Sequence, residues 1–163
     1  MIRFALTLEG VLRAEGGEKV IGHGAALFAG LQVEACVAVI SAVYPEHEAA
    51  RWLHVENFRG HTHLMCRIAT DPAPSPACYV RQVQRLRHTG CPIDVLVTAD
   101  PGAAALALSK GITTVTFCEP AYTVPEHRPD YDGTVRPWSA LTAELHRQRE
   151  LKAGDRRLSD DPH

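Results

Sequence analysis

The sequence predicts a three-layer α/β/α domain of the Rossmannoid kind, built on a parallel sheet of about five strands. Two observations carry this. Short β-branched and apolar segments alternate with helical ones from Ile2 to Phe117, joined by connections of a few residues. One of them, Val33 to Ile40, is apolar almost without a break, the pattern of a strand covered on both faces.

Taken in order, Ile2 to Leu8 reads as a strand ended by Glu9-Gly10, and Gly16-Gly17 marks a turn. His23 to Leu31 reads as a short helix. The Val33 to Ile40 strand stops at Ser41, and Pro45 suits the first turn of a helix running to about His54. His63 to Ile68 is a weaker strand. Asp71-Pro-Ala-Pro-Ser-Pro76 leads into a helix from Ala77 to His88, with Val80, Val83, Gln84 and Arg87 at helical spacing. Ile93 to Thr98 is a strand. Pro101 to Ser109 is an alanine-rich helix closed by Lys110-Gly111, a cation and a glycine where helix ends favour them. Thr113 to Phe117 is a strand. Beyond it come a proline-punctuated stretch from Pro120 to Pro137, a helix from Ser139 to Lys152 and a polar tail, 153 to 163, expected to be disordered. Residues 1 to 152 are therefore expected to form one domain.

Composition narrows the function. The 163 residues are 45% apolar and 22% charged with a net charge of −2, which argues against a broadly basic surface for nucleic acid. The five cysteines contain no Cys-x-x-Cys pair, so free thiols in a reducing compartment are expected. No apolar run approaches the ~20 residues that cross a bilayer, and Met1-Ile2-Arg3-Phe4 opens no secretory signal. The expectation is a cytoplasmic protein with no membrane contact.

In an open parallel sheet, ligands bind beyond the carboxyl ends of the strands. The residues there are Thr7 and Glu9 after the first strand, Ser41 after the second, Asp71 after the third and Asp100 after the fourth. Each has a local explanation: Thr7 is an ordinary strand residue, Ser41 suits a turn, and Asp100-Pro101 is a common helix start. Their order along the chain, however, resembles the haloacid dehalogenase (HAD) phosphohydrolases over residues 2 to 117.

In that family the first strand ends in Asp-x-Asp-Gly, nucleophile and then acid/base. Here the matching segment is Phe4-Ala-Leu-Thr7-Leu-Glu9-Gly10, with Thr7 and Glu9 in the two catalytic positions. Val37-Ala-Val-Ile-Ser41 matches the second strand, whose terminal Ser or Thr binds the phosphoryl group. Asp71 stands where the family lysine belongs, so the resemblance leaves Arg81 or Arg85 to supply the cation. Val95-Leu-Val-Thr-Ala99-Asp100-Pro-Gly-Ala-Ala104 is similar to the acidic metal-binding segment, with Asp100 on its first acid and Ala104 where a second is frequent. The region from Gly111-Ile-Thr-Thr to Trp138 is similar to small HAD-like proteins encoded by phages. The stretch between Glu9 and Ser41 has room for a hairpin or loop and one helix, which implies a capless member with an open site.

The resemblance implies catalysis at Thr7 and Glu9, phosphate binding at Ser41 and Arg81, and Mg²⁺ at Asp100 and Glu9. The residues themselves weaken that chemistry. A threonine hydroxyl is a poor nucleophile at neutral pH; Mg²⁺ is left with few carboxylates; and Asp71 would repel a phosphate dianion. The expected function is therefore a degenerate HAD-like domain without ordinary aspartyl-phosphatase activity, binding a phosphorylated small molecule or nucleotide, or acting through a protein partner. The alternative is an active, nucleotidase-like Mg²⁺-dependent phosphohydrolase with an unusual site. A flavodoxin-like or receiver-like domain fits less well, because no Asp follows Val37 to Ile40. His61-Thr-His63 with Cys66 has short zinc-like spacing, which alternate exposure along a strand edge explains equally.

Overall fold

A computed structural model describes residues 1–71, 73–119 and 124–127, with isolated positions at 129, 133, 139 and 143. Apart from Ser139 and Ala143, the expected helix from Ser139 to Lys152 lies outside the described residues, as do the tail 153–163, Pro72, Trp138 and most of the proline-punctuated stretch.

Five parallel strands form one sheet in the order β3-β2-β1-β4-β5. They are β1 (Arg3–Thr7), β2 (Cys36–Ser41), β3 (His63–Cys66), β4 (Val95–Thr98) and β5 (Thr113–Thr116). Four helices connect them: α1 (Gly22–Leu31), α2 (Glu46–Val55), α3 (Pro76–His88) and α4 (Pro101–Ser109). The expected alternation is present element by element. Central β1 pairs with β2 on one side, Thr7 opposite Ile40, and with β4 on the other, Leu6 opposite Val97. The order reverses between β1 and β4, which opens a crevice where α/β sheets bind ligands.

Alternation along the strands divides the core in two. Ala5, Ala38, Ile40 and Leu96 face one side and pack with Val80, Val83 and Leu86 of α3 and Ala103 and Ala107 of α4. Leu6, Val37, Val39 and Val97 face the other and pack with Phe28 of α1 and Trp52 and Leu53 of α2. Phe58 stands edge-on to Phe28 and stacks on Trp52, at centroid distances of 5.2 and 5.4 Å. These are the two cores of a helix–sheet–helix sandwich. All five cysteines are free, and burial pushes the Cys66 thiol up to about 12.

Several boundaries differ from the sequence reading: the third strand ends at Cys66 rather than Ile68, and the fourth begins at Val95 rather than Ile93. The second strand begins at Cys36 rather than Val33. Residues 33–35 instead extend the turn after α1, where the Glu34 and Ala35 amides donate to the Leu31 carbonyl, and Val33 is left exposed. Hydrophobicity there does not signal burial. In α3 the buried face is Cys78, Tyr79, Val80, Gln82, Val83 and Leu86; Gln84 is half-buried and Arg87 exposed. The stripe is rotated because Tyr79 and Gln82 turn inward to polar partners.

Among the described residues there is no large cap domain. Between β1 and β2 the chain makes one helical turn, in which the Leu12 and Arg13 amides donate to the Leu8 carbonyl. A short hairpin follows, closed by an antiparallel bridge from Arg13 to Val20, and then α1. Gly24 lets α1 lie against this turn: a Cβ there would stand 1.6 Å from the Val11 carbonyl oxygen. Gly24→Ala is expected to cost about 1–3 kcal/mol through the forced backbone shift, read as a fall in Tm. Gly30→Ala, whose added Cβ meets nothing within 4 Å, is the control and should not lower it. No helix among the described residues is long and apolar enough to cross a membrane.

Candidate functional site

The turn after β1 brings Glu9 over the end of β2. β1 stops at Thr7, and the Leu8 amide still donates to the Ile40 carbonyl at 2.7 Å before the chain bends. Gly10 completes the bend with φ of 76°, a left-handed conformation that favours glycine. A Cβ at Gly10 would meet that of Ala99 at 2.6 Å, so the turn sits tightly on the end of β4.

Glu9 is 5% exposed, and both carboxylate oxygens are taken. Oε1 accepts from the Ser41 hydroxyl and from the Val43 amide at 3.3 Å. Oε2 accepts from the Tyr79 hydroxyl at 3.1 Å. Burial, followed by the adjacent Glu9 charge, raises the Tyr79 pKa well above the usual phenol range, so Tyr79 is held as a donor. Ser41 is itself fixed: its Oγ accepts from the Tyr44 amide at 2.9 Å, and its carbonyl accepts from Gln82 Nε2 at 2.5 Å. Three elements thus converge on one carboxylate.

The other sequence-predicted residues fall as follows. Thr7 is fully buried, and its hydroxyl donates to the Glu9 carbonyl at 3.0 Å. Asp100 caps α4, with Oδ1 accepting from the Gly102 and Ala103 amides at 2.7 and 3.1 Å. Asp71 is turned into the protein, and its side chain is wholly buried. It accepts from the Ile68 amide at 2.8 Å and from both terminal nitrogens of Arg85. Burial opposes its charge, but the Ile68 amide and Arg85 outweigh that and hold its pKa below the usual carboxylate value. Asp71 is therefore not a bare negative charge facing a ligand, as its place in the sequence suggested.

Glu9 and Asp100 line a common cleft of about 310 Å³ with Tyr44, Ser75 and Tyr79. Thr7, Ser41 and Arg81 do not line it. Arg81 instead extends into solvent from α3, its Nη1 3.5 Å from the Thr70 carbonyl and 3.8 Å from Asp71. Of the expected phosphate pair, the Ser41 hydroxyl donates to Glu9 and Arg81 lies 3.8 Å from Asp71. Tyr79 and Gln82 belong to the site and were missed. Their signal in the sequence was a tyrosine and a glutamine on the inward stripe of a helix, where each needs a polar partner.

Few of the strand-end oxygens are free of hydrogen bonds for the Mg²⁺ that the resemblance implies. That ion demands near-octahedral oxygen ligation, whereas both Glu9 oxygens, one Asp100 oxygen and the Thr7 hydroxyl are already in protein hydrogen bonds. Among the described residues no three His, Cys, Asp or Glu side chains are grouped to hold a metal. In the other candidate cluster, His61 Nδ1 lies 3.2 Å from the Phe58 carbonyl oxygen and His63 Nδ1 lies 3.2 Å from Thr62 Oγ1.

No protein-family model and no curated protein matches the chain. One solved crystal structure is similar at a TM-score of 0.47 and 13% identity, over 93% of this chain and 83% of that one.

Proposed function

We propose that this chain is a HAD-like domain that does not carry out ordinary aspartyl-phosphate chemistry and acts through a protein partner at the cleft above β1, β2 and β4. One observation carries this reading: the carboxylate in the family's acid/base position, Glu9, is clamped by Ser41, Val43 and Tyr79. A general acid or base must exchange a proton with the reacting group, within hydrogen-bond reach of it. Glu9 spends both oxygens on the protein. The same clamp consumes the hydroxyl of Ser41, the residue that the resemblance assigns to the phosphoryl group. Thr7, in the nucleophile's position, is buried with its hydroxyl donated to the backbone. Three positions at which the family does chemistry serve here to hold the strand ends together.

The test is phosphate release from nucleoside monophosphates and sugar phosphates, with Mg²⁺ and with EDTA. The chain is expected to release none above background in either. Turnover that EDTA stops and Asp100→Asn abolishes would establish the phosphohydrolase alternative instead. A Thr7→Asp, Glu9→Asp variant restores both family carboxylates. Metal-dependent release gained by that variant supports the HAD-like frame; none from a variant whose circular dichroism shows it folded counts against it.

A further inference from the structure

We propose that the outer edge of β5 pairs with the same edge of a second copy of this chain, antiparallel and centred on Val115, joining the two sheets into one. The surface lies apart from the cleft, none of whose lining residues belongs to β5. Among the described residues β5 pairs only with β4, which leaves its far side open. Edge strands are commonly blunted by charge, proline, a bulge or shortness. Thr113-Thr-Val-Thr116 has only its shortness: it carries no charge and no proline, and its register with β4 runs without a bulge. Val115, within it, is 47% exposed.

The backbone fixes how a second copy fits. Successive residues of a strand turn their N–H and C=O to opposite edges. The Phe117 amide donates inward, to the Thr98 carbonyl at 2.9 Å, so Thr113 and Val115 also face β4, and Thr114 and Thr116 face out. Two identical antiparallel strands related by a two-fold axis can be centred on Thr114 or on Val115. Centring on Thr114 sets Thr116 against Ile112, whose amide is already given to the Ala107 carbonyl at 3.0 Å. Centring on Val115 sets Thr114 of each copy against Thr116 of the other, and such a pair exchanges both of its hydrogen bonds. The two Val115 side chains then meet at the close, non-hydrogen-bonded position, and Thr113 stands opposite Phe117. Charge agrees with this direction. Lys110 precedes β5 and Glu119 follows it, both exposed, and antiparallel pairing brings each near its opposite on the second copy. Glu119 also meets His23, at 3.1 Å.

The experiment is sedimentation equilibrium of the full chain from about 5 to 500 µM, a range spanning the roughly 10–100 µM Kd expected of an interface below standard size. The mass is expected to rise from one chain toward two across it. Val115→Lys sets two ammonium groups against each other and should weaken the dimer at least about tenfold. Thr116→Pro removes an outward donor that β4 does not use. It should weaken the dimer as much while keeping the parent's Tm. Val115→Lys, which alters no backbone group, carries the test if the proline variant melts early. A chain that stays monomeric at the top of the range overturns the proposal, as does a Val115→Lys dimer as tight as the parent's. Association that runs past two chains overturns it as well, because a two-fold pairing closes.

Discussion

Glu9→Ala is expected to destabilise the fold by about 3 kcal/mol, because it leaves three donors without their acceptor at one buried point. Ser41 Oγ, the Val43 amide and the Tyr79 hydroxyl all point at this carboxylate. A buried donor left unpaired costs roughly 1–3 kcal/mol, and two of the three can recover part of that. The Ser41 hydroxyl can swing to the Tyr44 carbonyl, already 3.4 Å away, and Tyr79 lines a cleft that admits water. For a chain of this length the loss corresponds to roughly 6–12 °C in Tm. Glu9→Gln keeps the shape and one acceptor oxygen and should cost less than half as much. Tyr79→Phe removes one hydrogen bond to a charged acceptor, worth about 1.5–3 kcal/mol. A thermal melt in which Glu9→Ala stays within about 2 °C of the parent would show that Glu9 is not clamped, and would return it to the list of groups free for chemistry.

Asp71→Ala is expected to cost about 3–4 kcal/mol, the lower part of the range for breaking a buried ion pair by removing one partner. The loss has two sources. Arg85 keeps its charge with a quarter of its side chain exposed, and the Ile68 amide loses its acceptor. That amide closes the loop leading to Pro74, Ser75 and Pro76, which form one wall of the cleft, so the wall should loosen as well. The pH dependence follows from the direction of the Asp71 pKa, which lies below its ordinary value in the folded state. The unfolded chain then binds the proton more readily, and stability rises with pH across that interval. The contribution is complete above the unfolded pKa of roughly 3.9 and is lost as pH falls through the folded one. The Tm difference between the parent and Asp71→Asn should thus be constant at neutral pH and shrink in acid below that value. A difference that grows on acidification would contradict the pairing.

The arrangement of strands and helices was legible because each element carries its own local signal. Val37 to Ile40 is an uninterrupted apolar run, Asp100-Pro101 opens α4 as a cap and first-turn pair, and Lys110-Gly111 closes it. The start of β2 was not legible, because Val33 is apolar but spent on an exposed turn. The strand-end residues were likewise identifiable from order alone: Glu9 and Asp100 do meet at one cleft.

What those residues are committed to is a property of contacts far apart in the chain. Glu9 reaches Ser41 across β2 and Tyr79 on α3, and Asp71 reaches Arg85 along the same helix. By itself the sequence determined the fold class and its element order, since periodicity and capping act over a few residues. Only the tertiary structure decided that the Glu9 carboxylate is a buried clamp and that Asp71 turns inward. A side chain's hydrogen-bond partners are set by which strand and helix ends the sheet brings side by side, and one-dimensional spacing does not encode that.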